Sequence, residues 1–220
     1  MSQGITYMNS KKLFIFDLDG TIADAYTAIW KSLNFTRGKF GLKPVSYSEA
    51  KRKVGRGDRL FMEMFFPHDR MEEALSIYIK HHKKSLVRYS KQKKNARKVL
   101  NILAKRSKLL AIASNRPYYF TKVILKSLDM KKYFDIVACA DQVGSIKPDP
   151  GILYYVLRKL RVKKQDAVFI GDMGIDMETA KRSGMDAIFI TGGSSSVNSV
   201  KKYKNKKVIR SLDEIFKLTS

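Results

Sequence analysis

Short runs of consecutive apolar residues recur along the chain, and most of them end abruptly in polar loops. Apolar runs of this length, bounded by turn residues, are typical of strands that are buried on both faces of a sheet. The pattern therefore predicts five buried strands, over residues 12–16, 109–113, 134–138, 167–170 and 187–190.

Helical patterns lie between the later strands, with apolar residues spaced three and four apart. Residues 97–105, 120–128 and 152–160 each place their apolar side chains on one helical face. Strands of this kind alternating with helices predict an α/β fold, a doubly wound, Rossmann-like parallel sheet covered on both sides. In such sheets ligands bind beyond the carboxyl ends of the strands, where the polar loops of this chain would gather.

The segment after the first strand breaks this alternation, because helical patterns follow one another without a convincing strand between them. These patterns cover residues 26–40, 48–54, 60–66 and 71–86. We therefore predict an all-helical domain, residues 24–90, inserted into a Rossmann-like core formed by residues 1–23 and 91–220.

The chain of 220 residues contains 44 Lys and Arg against 20 Asp and Glu, a formal net charge of +24. Apolar residues make up 44% of the chain, which suffices for a core. The excess positive charge attracts phosphate backbones, so a nucleic-acid-binding protein using its basic surface is an alternative from another class. The densest basic stretches, residues 80–98 and 201–210, lack the regular aromatic side chains of a base-stacking platform. Charge alone therefore predicts only nonspecific adhesion to nucleic acid.

The apolar pattern does not predict a membrane protein. No stretch approaches the roughly 18 consecutive apolar residues of a membrane span, and residues 1–10 lack the apolar run of a secretory signal. The single cysteine, Cys139, cannot form an internal disulfide. We expect a cytoplasmic protein without a membrane partner, acting as a monomer or a homodimer.

Pairs of carboxylates follow two of the predicted strands. Asp17 and Asp19 come directly after the first strand, and Asp172 and Asp176 follow the strand at residues 167–170. Each pair alone fits a turn or the first turn of a helix, but carboxylates held close together repel each other without a cation. A hard, oxygen-seeking ion such as Mg²⁺ would relieve that repulsion.

Two further polar segments follow the same arrangement. Ser114 and Asn115 come after the strand at residues 109–113, and Lys147 begins a Lys-Pro-Asp-Pro sequence before a predicted helix. Taken singly, Ser114 suits a helix N-cap and Lys147 is one of many cations. The four segments in this order carry much more information than any one of them.

Together these segments resemble the motifs of the haloacid dehalogenase (HAD) superfamily of phosphatases. The matching sequences are Asp-Leu-Asp-Gly-Thr at 17–21, Ser-Asn at 114–115, Lys-Pro-Asp-Pro at 147–150 and Gly-Asp-Met-Gly-Ile-Asp at 171–176. The helical insertion after the first motif resembles the cap domain of the phosphoglycolate phosphatase-like branch. The resemblance extends over residues 12–220.

This resemblance implies roles in catalysis and phosphate binding. Asp17 would attack phosphorus and form an aspartyl-phosphate, and Asp19 would protonate the leaving oxygen and then activate water. Lys147 would neutralise charge on the transferring group, and Ser114 and Asn115 would join it in holding the phosphoryl oxygens.

The resemblance also implies Mg²⁺ as the cofactor. Its ligands would be the Asp17 carboxylate, the backbone carbonyl of Asp19 and the Asp172 carboxylate, with Asp176 acting directly or through water. Met173 departs from the pattern, since many relatives carry a small hydroxyl residue there, but this departure affects no ligand.

The loop at residues 55–57, Gly-Arg-Gly, is the part of the cap that we expect to select the substrate. A cap of this kind closes over the active site, and Arg56 could bind a carboxylate or a phosphate through its fork of donors. No motif requires a histidine, and we expect the three histidines to be solvated: His68, His81 and His82.

The sequence thus predicts a Mg²⁺-dependent phosphomonoester phosphatase for a small organic phosphate, with 2-phosphoglycolate as the leading candidate. A sugar-phosphate phosphatase, a nucleotide phosphatase and a pyrophosphatase are alternatives. A phosphoglucomutase-like phosphotransferase is another, and it would retain its aspartyl-phosphate longer and transfer the phosphoryl group back to substrate.

Overall fold

A six-stranded parallel sheet forms the centre of the protein in the computed structural model, which describes residues 7–204 and 206–218. Residues 1–6, 205 and 219–220, all within the predicted core, lie outside the described residues. The sheet consists of β1 (Leu13–Phe16), β4 (Leu109–Ser114), β5 (Ile136–Cys139), β6 (Ala167–Gly171), β7 (Asp186–Ile190) and β8 (Lys206–Ile209). Two further short strands, β2 (Ala23–Asp24) and β3 (Lys91–Gln92), lie outside this sheet. The sheet order is β5-β4-β1-β6-β7-β8, and every neighbouring pair is parallel. The predicted doubly wound α/β fold is therefore confirmed.

Helices cover both faces of this sheet. The helices are α1 (Tyr7–Ser10), α2 (Tyr26–Lys39), α3 (Tyr47–Lys53), α4 (Asp58–Glu63), α5 (Met71–Tyr89), α6 (Ala96–Lys105), α7 (Tyr118–Ser127), α8 (Ala140–Val143), α9 (Gly151–Leu160) and α10 (Gly174–Ser183). Successive side chains of a strand point to opposite faces. Phe14 and Phe16 accordingly pack in the apolar cluster that includes α6 and α7, whereas Leu13 and Ile15 pack with α9 and α10. This burial on two sides explains the continuous apolar run in β1.

The segment between β2 and β3 is helical and has an apolar cluster of its own. Helices α2 to α5 bury Leu33, Phe61, Met62 and Tyr78 among other side chains in this cluster. β2 and β3 pair with each other as a short antiparallel ribbon. The chain therefore leaves the sheet and returns to it through two adjacent strands.

Three strands do not follow from the sequence pattern: the two short strands of the β2–β3 ribbon and one strand of the main sheet. The pattern shows residues 201–210 only as a basic stretch, but Lys206–Ile209 form β8, which pairs with β7 at the edge of the sheet. An edge strand is flanked on one side only, so it does not need the continuous apolar run of a central strand. In the described part of the chain, no helix has the length and apolar character required to cross a membrane.

Candidate active site

The predicted site residues gather where three adjacent strands end. Asp17 directly follows β1, Ser114 ends β4 and Asp172 directly follows β6. β1 pairs with β4 on one side and β6 on the other, so their carboxyl ends lie side by side. The parallel topology thus brings together groups that are far apart in the sequence.

Three buried carboxylates form the centre of this site. Oxygen atoms of Asp17, Asp172 and Asp176 lie within 4.8 Å of one another. Oδ2 of Asp17 is buried and has no hydrogen-bond partner among the described residues. Burial raises the pKa of the Asp17 carboxyl well above its usual value; the Lys147 charge opposes this effect, and the charges of Asp176 and Asp172 add to it. This oxygen-rich, electrostatically strained cluster fits a hard divalent cation.

Asp172 is oriented by three donors from three separate segments. Its Oδ1 accepts a hydrogen bond from Thr21 Oγ1 at 3.2 Å, and its Oδ2 accepts from the Tyr26 hydroxyl at 2.9 Å and from the Ser194 amide at 2.8 Å. A Cβ on Gly193 would overlap the Asp172 carboxylate, so only glycine permits this close approach. Burial and the Asp176 charge nevertheless raise the pKa of Asp172 to about 7.

Lys147 connects two of the three carboxylates. Its Nζ lies 2.7 Å from Asp17 Oδ1 and 2.7 Å from Asp176 Oδ1, and its side chain is fully buried. Burial alone disfavours the ammonium, but the two carboxylates outweigh that effect and raise the pKa of Lys147. Lys147 is therefore a fixed positive charge beside Asp17.

Asp176 has a different environment from Asp172, because both of its oxygens are occupied by protein donors. Oδ1 accepts from Lys147, and Oδ2 accepts from the backbone amide of Met173 at 3.0 Å. The latter bond caps the start of α10. Asp176 thus positions Lys147 and is less open to direct metal coordination than Asp17.

Asn115 connects the motif lysine to the inserted helices. Its Nδ2 donates to Gly55 O at 2.8 Å and to Lys147 O at 3.1 Å, and its Oδ1 accepts from Lys147 N at 2.7 Å. The neighbouring Ser114 is buried, and its hydroxyl accepts from Arg116 N at 3.2 Å. The Asn115 amide therefore orients the Lys147 backbone and the Gly55 loop.

Arg116 is a site residue that the sequence did not single out. Its Nε lies 2.7 Å from Asp19 Oδ2, and its Nη1 lies 2.9 Å from His82 Nε2. Burial disfavours the guanidinium, but the charges of Asp19 and Asp58 outweigh burial and raise the pKa of Arg116. Arg116 directly follows the Ser-Asn motif, and this position after the strand was the signal in the sequence that could have identified it as a site residue.

The prediction that His82 is solvated is wrong. His82 is fully buried on α5 and stacks on Tyr78. Arginine can only donate, so His82 Nε2 accepts from Arg116 and Nδ1 carries the proton shared with Ser32 Oγ, 3.0 Å away. Burial, with the Arg116 charge, lowers the pKa of His82 well below its usual value, consistent with this neutral form.

The sheet end and the inserted helices line a partly open cavity with about 30 Å³ of free space, room for roughly two water molecules. Its walls include Asp17, Asp19, Ser114, Asn115, Arg116 and Lys147 from the core side, and Ile29, Val54, Gly55, Gly57, Asp58 and Phe61 from the helical segment. Met173 also lines it, and its sulfur packs against Gly55. Arg56 is exposed and lines an adjoining surface depression instead. The structure therefore gathers every predicted motif residue at or beside the cavity, but leaves Arg56 outside it.

Comparison with known proteins agrees with this fold. A family model described as haloacid dehalogenase-like hydrolase matches residues 14–190, and the chain belongs to this family. The resemblance inferred from the motifs is therefore confirmed.

The relatives define the class of enzyme further. The phosphoglycolate phosphatase of Aquifex aeolicus is 29% identical over 188 residues, which cover 86% of this chain and 88% of that protein. The phosphorylated carbohydrates phosphatase of Thermotoga maritima is 28% identical over 179 residues, 80% of this chain and 82% of that protein. A crystal structure of a predicted phosphoglycolate phosphatase from Haemophilus somnus superposes with a TM-score of 0.88 at 21% identity, covering 94% of this chain and 97% of that one, which supports the fold. The chain is an enzyme, a phosphatase of the HAD family.

Proposed function

We propose that the protein is a Mg²⁺-dependent phosphomonoester phosphatase that acts on a small organic phosphate through an aspartyl-phosphate on Asp17. The observation that supports this most directly is the state of the Asp17 carboxylate. One of its oxygens is bonded to Lys147, and the other is buried without a partner among the described residues. A carboxylate so held is oriented for attack by its remaining oxygen.

Asp19 is proposed to move the protons of the reaction. Its Oδ2 is anchored by Arg116, while its Oδ1 is buried and unpartnered in the described part of the chain. Oδ1 would give a proton to the leaving oxygen in the first step and take one from the attacking water in the second. Arg116 would keep this carboxylate in place during both steps.

Mg²⁺ would be held by the carboxylates of Asp17 and Asp172 and by the backbone carbonyl of Asp19, with Asp176 taking part through water. The Asp19 carbonyl and Asp172 Oδ2 both contact the Tyr26 hydroxyl, at 3.5 and 2.9 Å, which supports their assignment to one site. When bound, the ion would supply positive charge to the oxygens of the transferring phosphoryl group.

The phosphoryl group itself would be held by Lys147 and the Ser114 hydroxyl. Asn115, predicted to share this task, has all of its amide atoms engaged with backbone groups. We therefore propose that the Asn115 side chain acts mainly by positioning Lys147.

Residues 24–90 are proposed to serve as a cap domain over a core formed by residues 1–23 and 91–220. The helices come between β2 and β3 in the chain, and these two strands pair with each other. The cavity beneath the helices has only about 30 Å³ of free space, whereas ligand pockets usually have roughly 300–1,000 Å³. Substrate would therefore enter when cap and core move apart, and closure would exclude water. Arg56, at the outer rim, stays a predicted contact for a substrate that extends beyond the cavity.

Two groups of candidate substrates are supported by the relatives' names. The relative from Aquifex aeolicus acts on phosphoglycolate, and the relative from Thermotoga maritima acts on phosphorylated carbohydrates. Nucleotide hydrolysis and a mutase-like phosphotransfer stay alternatives. The nucleic-acid-binding alternative gains no support from these relatives.

The decisive experiment replaces Asp17 by its uncharged isostere. Hydrolysis of 4-nitrophenyl phosphate is measured with Mg²⁺ and with EDTA, for the wild type and for Asp17→Asn. We expect the variant to lose at least about 10³-fold in kcat, because the nucleophile is gone, and EDTA to abolish wild-type activity.

Asp69→Asn, an exposed aspartate of the helical segment, is the matched control and should retain wild-type activity. Acid quenching with radiolabelled substrate should trap a phosphoprotein in the wild type only. Appreciable activity in Asp17→Asn would eliminate Asp17 as the nucleophile, and return of the label to substrate would favour the mutase.

A further inference from the structure

A carboxylate from the inserted helices lies in the cavity but has no part in the chemistry proposed above. Asp58 begins α4 and lines the same cavity as Asp17 and Asp19. Its Oδ2 is buried and, among the described residues, finds no hydrogen-bond donor. Tyr78 on α5 has a buried hydroxyl in the same condition. A buried polar atom without a partner is costly. Tyr78 packs in the apolar cluster of the helices, whereas Asp58 lines the cavity, so the Asp58 carboxylate is the group that is open to a hydrogen bond from a bound substrate.

The surroundings of Asp58 assign it to one end of the cavity. Burial raises the pKa of its carboxyl, and the charges that also act on it are those of Arg116 and Asp19. Burial is the main cause of the raised pKa of the Tyr78 phenol, and the charge of Asp58 adds to this effect. Asp58 and Arg116 line the same cavity, and Arg116 Nε lies 2.7 Å from Asp19 Oδ2, so Asp58 lies on the Asp19 side of the cavity. If Asp19 protonates the leaving oxygen, the leaving group extends from Asp19 towards Asp58.

The charges at this end are unfavourable for a second anion. Arg116 is the cation that lines the cavity at this end, and its Nε already forms a buried ion pair with Asp19. The Arg116 charge also acts on Asp58. A carboxylate on the leaving group would be a third acid beside this guanidinium, which is disfavoured. A hydroxyl could donate to Asp58 Oδ2 without this repulsion.

We propose that Asp58 selects phosphate monoesters whose leaving group presents a hydroxyl, and that it discriminates against leaving groups with a second anionic group. This inference rests on the proposed function, because it takes Asp19 as the group next to the leaving oxygen. It favours phosphorylated polyols and carbohydrates over 2-phosphoglycolate among the candidate substrates. Asp58 is thus a specificity-determining residue inside the cavity, whereas Arg56 lies at its outer rim.

A pair of nearly isosteric substrates tests the proposal. The esters 2-hydroxyethyl phosphate and 2-phosphoglycolate differ only in a terminal CH₂OH or carboxylate group. With the full-length protein and saturating Mg²⁺, we expect the wild-type kcat/KM for the hydroxyl ester to exceed that for the carboxylate by at least about 10-fold. Asp58→Asn keeps the shape and removes the charge, so the preference should fall at least about five-fold.

Asp69→Asn makes the same substitution at an exposed position of the helical segment and should keep the wild-type preference. A wild type that prefers 2-phosphoglycolate would overturn the proposal, since Arg116 would then be recognising the carboxylate. An equal change in both kcat/KM values for a folded Asp58→Asn would overturn it too. If that variant fails to fold, the wild-type preference decides alone. Absence of turnover with both esters and with 4-nitrophenyl phosphate would instead refute the proposed function itself.

Discussion

At the sheet end of the cavity, charged side chains hold one another in place. Lys147 contacts the carboxylates of Asp17 and Asp176, and Asp172 accepts hydrogen bonds from three segments. Asp17 and Asp19 each keep one buried oxygen without a partner among the described residues, but the other oxygen of each is held by a buried cation. At the helix end, Asp58 Oδ2 is buried without a partner, and Asp58 forms no ion pair in the part of the chain that the structure describes. Arg116 lies between the two ends and touches Asp19 and His82.

Under the proposed function, this difference would separate two tasks. Groups proposed to act on the phosphoryl transfer are oriented by buried cations, which would lower the reorganisation needed in the transition state. Asp58, proposed to face the leaving group, would find its partner in the substrate and so discriminate between substrates. Changes at the sheet end should therefore lower turnover of every ester, whereas changes at the helix end should alter ratios between esters.

The largest effect is expected from Lys147→Met at the sheet end. This change removes the charge next to Asp17 and leaves two buried carboxylates unpaired, so we expect kcat to fall about 10³-fold for all substrates. Steady-state kinetics with 4-nitrophenyl phosphate and both test esters measures the loss. Lys105→Met, at an exposed position on α6, is the control. A loss confined to one ester would contradict the division between the two ends.

A smaller effect is expected from Arg116→Lys, since Arg116 contacts both ends. Lysine keeps the charge but cannot reach both Asp19 and His82 with a planar fork of donors. We expect kcat to fall about 10-fold and the free energy of unfolding to fall by about 1–3 kcal/mol, from the hydrogen bond lost inside the protein. Kinetics and urea denaturation measure the two quantities. Unchanged kcat with lower stability would mean that Arg116 only neutralises buried charge.

We expect the smallest effect from the coupling between pH and metal binding. The pKa of Asp172 is raised to about 7, whereas an unfolded aspartate titrates near about 4. Between these values the folded, metal-free protein holds more protons than the unfolded chain, so this group's contribution to stability falls as pH rises through the window. A cation competes with the same proton, and its binding should therefore strengthen as pH rises through about 7.

Thermal unfolding with Mg²⁺ and with EDTA, at about pH 6 and about pH 8, tests this linkage. The increase in Tm caused by Mg²⁺ should be larger at the higher pH. Asp172→Asn should reduce the increase at both values. An increase in wild-type Tm that does not depend on pH would show that Asp172 does not couple proton and metal binding.

The sheet end of the molecule was largely predictable from the sequence. Central strands of a parallel sheet are buried on both faces, so their apolar runs are distinctive, and the polar residues that end them must meet at one edge. Asp17, Ser114 and Asp172 could be placed together for this reason. The hydrogen bonds that Tyr26 and Ser194 donate to Asp172 could not be predicted, because these two residues belong to a helix and a loop whose packing no local pattern specifies.

The helix end was poorly predictable, because its contacts also depend on tertiary packing that no local pattern specifies. His82 lies in a lysine-rich stretch, so its pattern indicated solvent, but α5 turns it towards Phe120 and Arg116. Asp58 follows the Gly-Arg-Gly loop, and its sequence position is typical of an ordinary acidic residue in the first turn of a helix. Its burial depends on the approach of α4 to the loop after β4. Such contacts between segments far apart in sequence are set by tertiary packing.

The β2–β3 ribbon has a consequence for timing in the catalytic cycle. β2 begins four residues after Asp19, and the intervening turn is bonded back on itself, with Gly20 N donating to Ala23 O and Ala23 N to Leu18 O. β2 and the loop that carries Asp19 are therefore joined by a short, internally hydrogen-bonded stretch of backbone. In the proposed opening of the cap, His82 on α5 would move away from Arg116, so substrate access and the anchoring of Asp19 by Arg116 would change together.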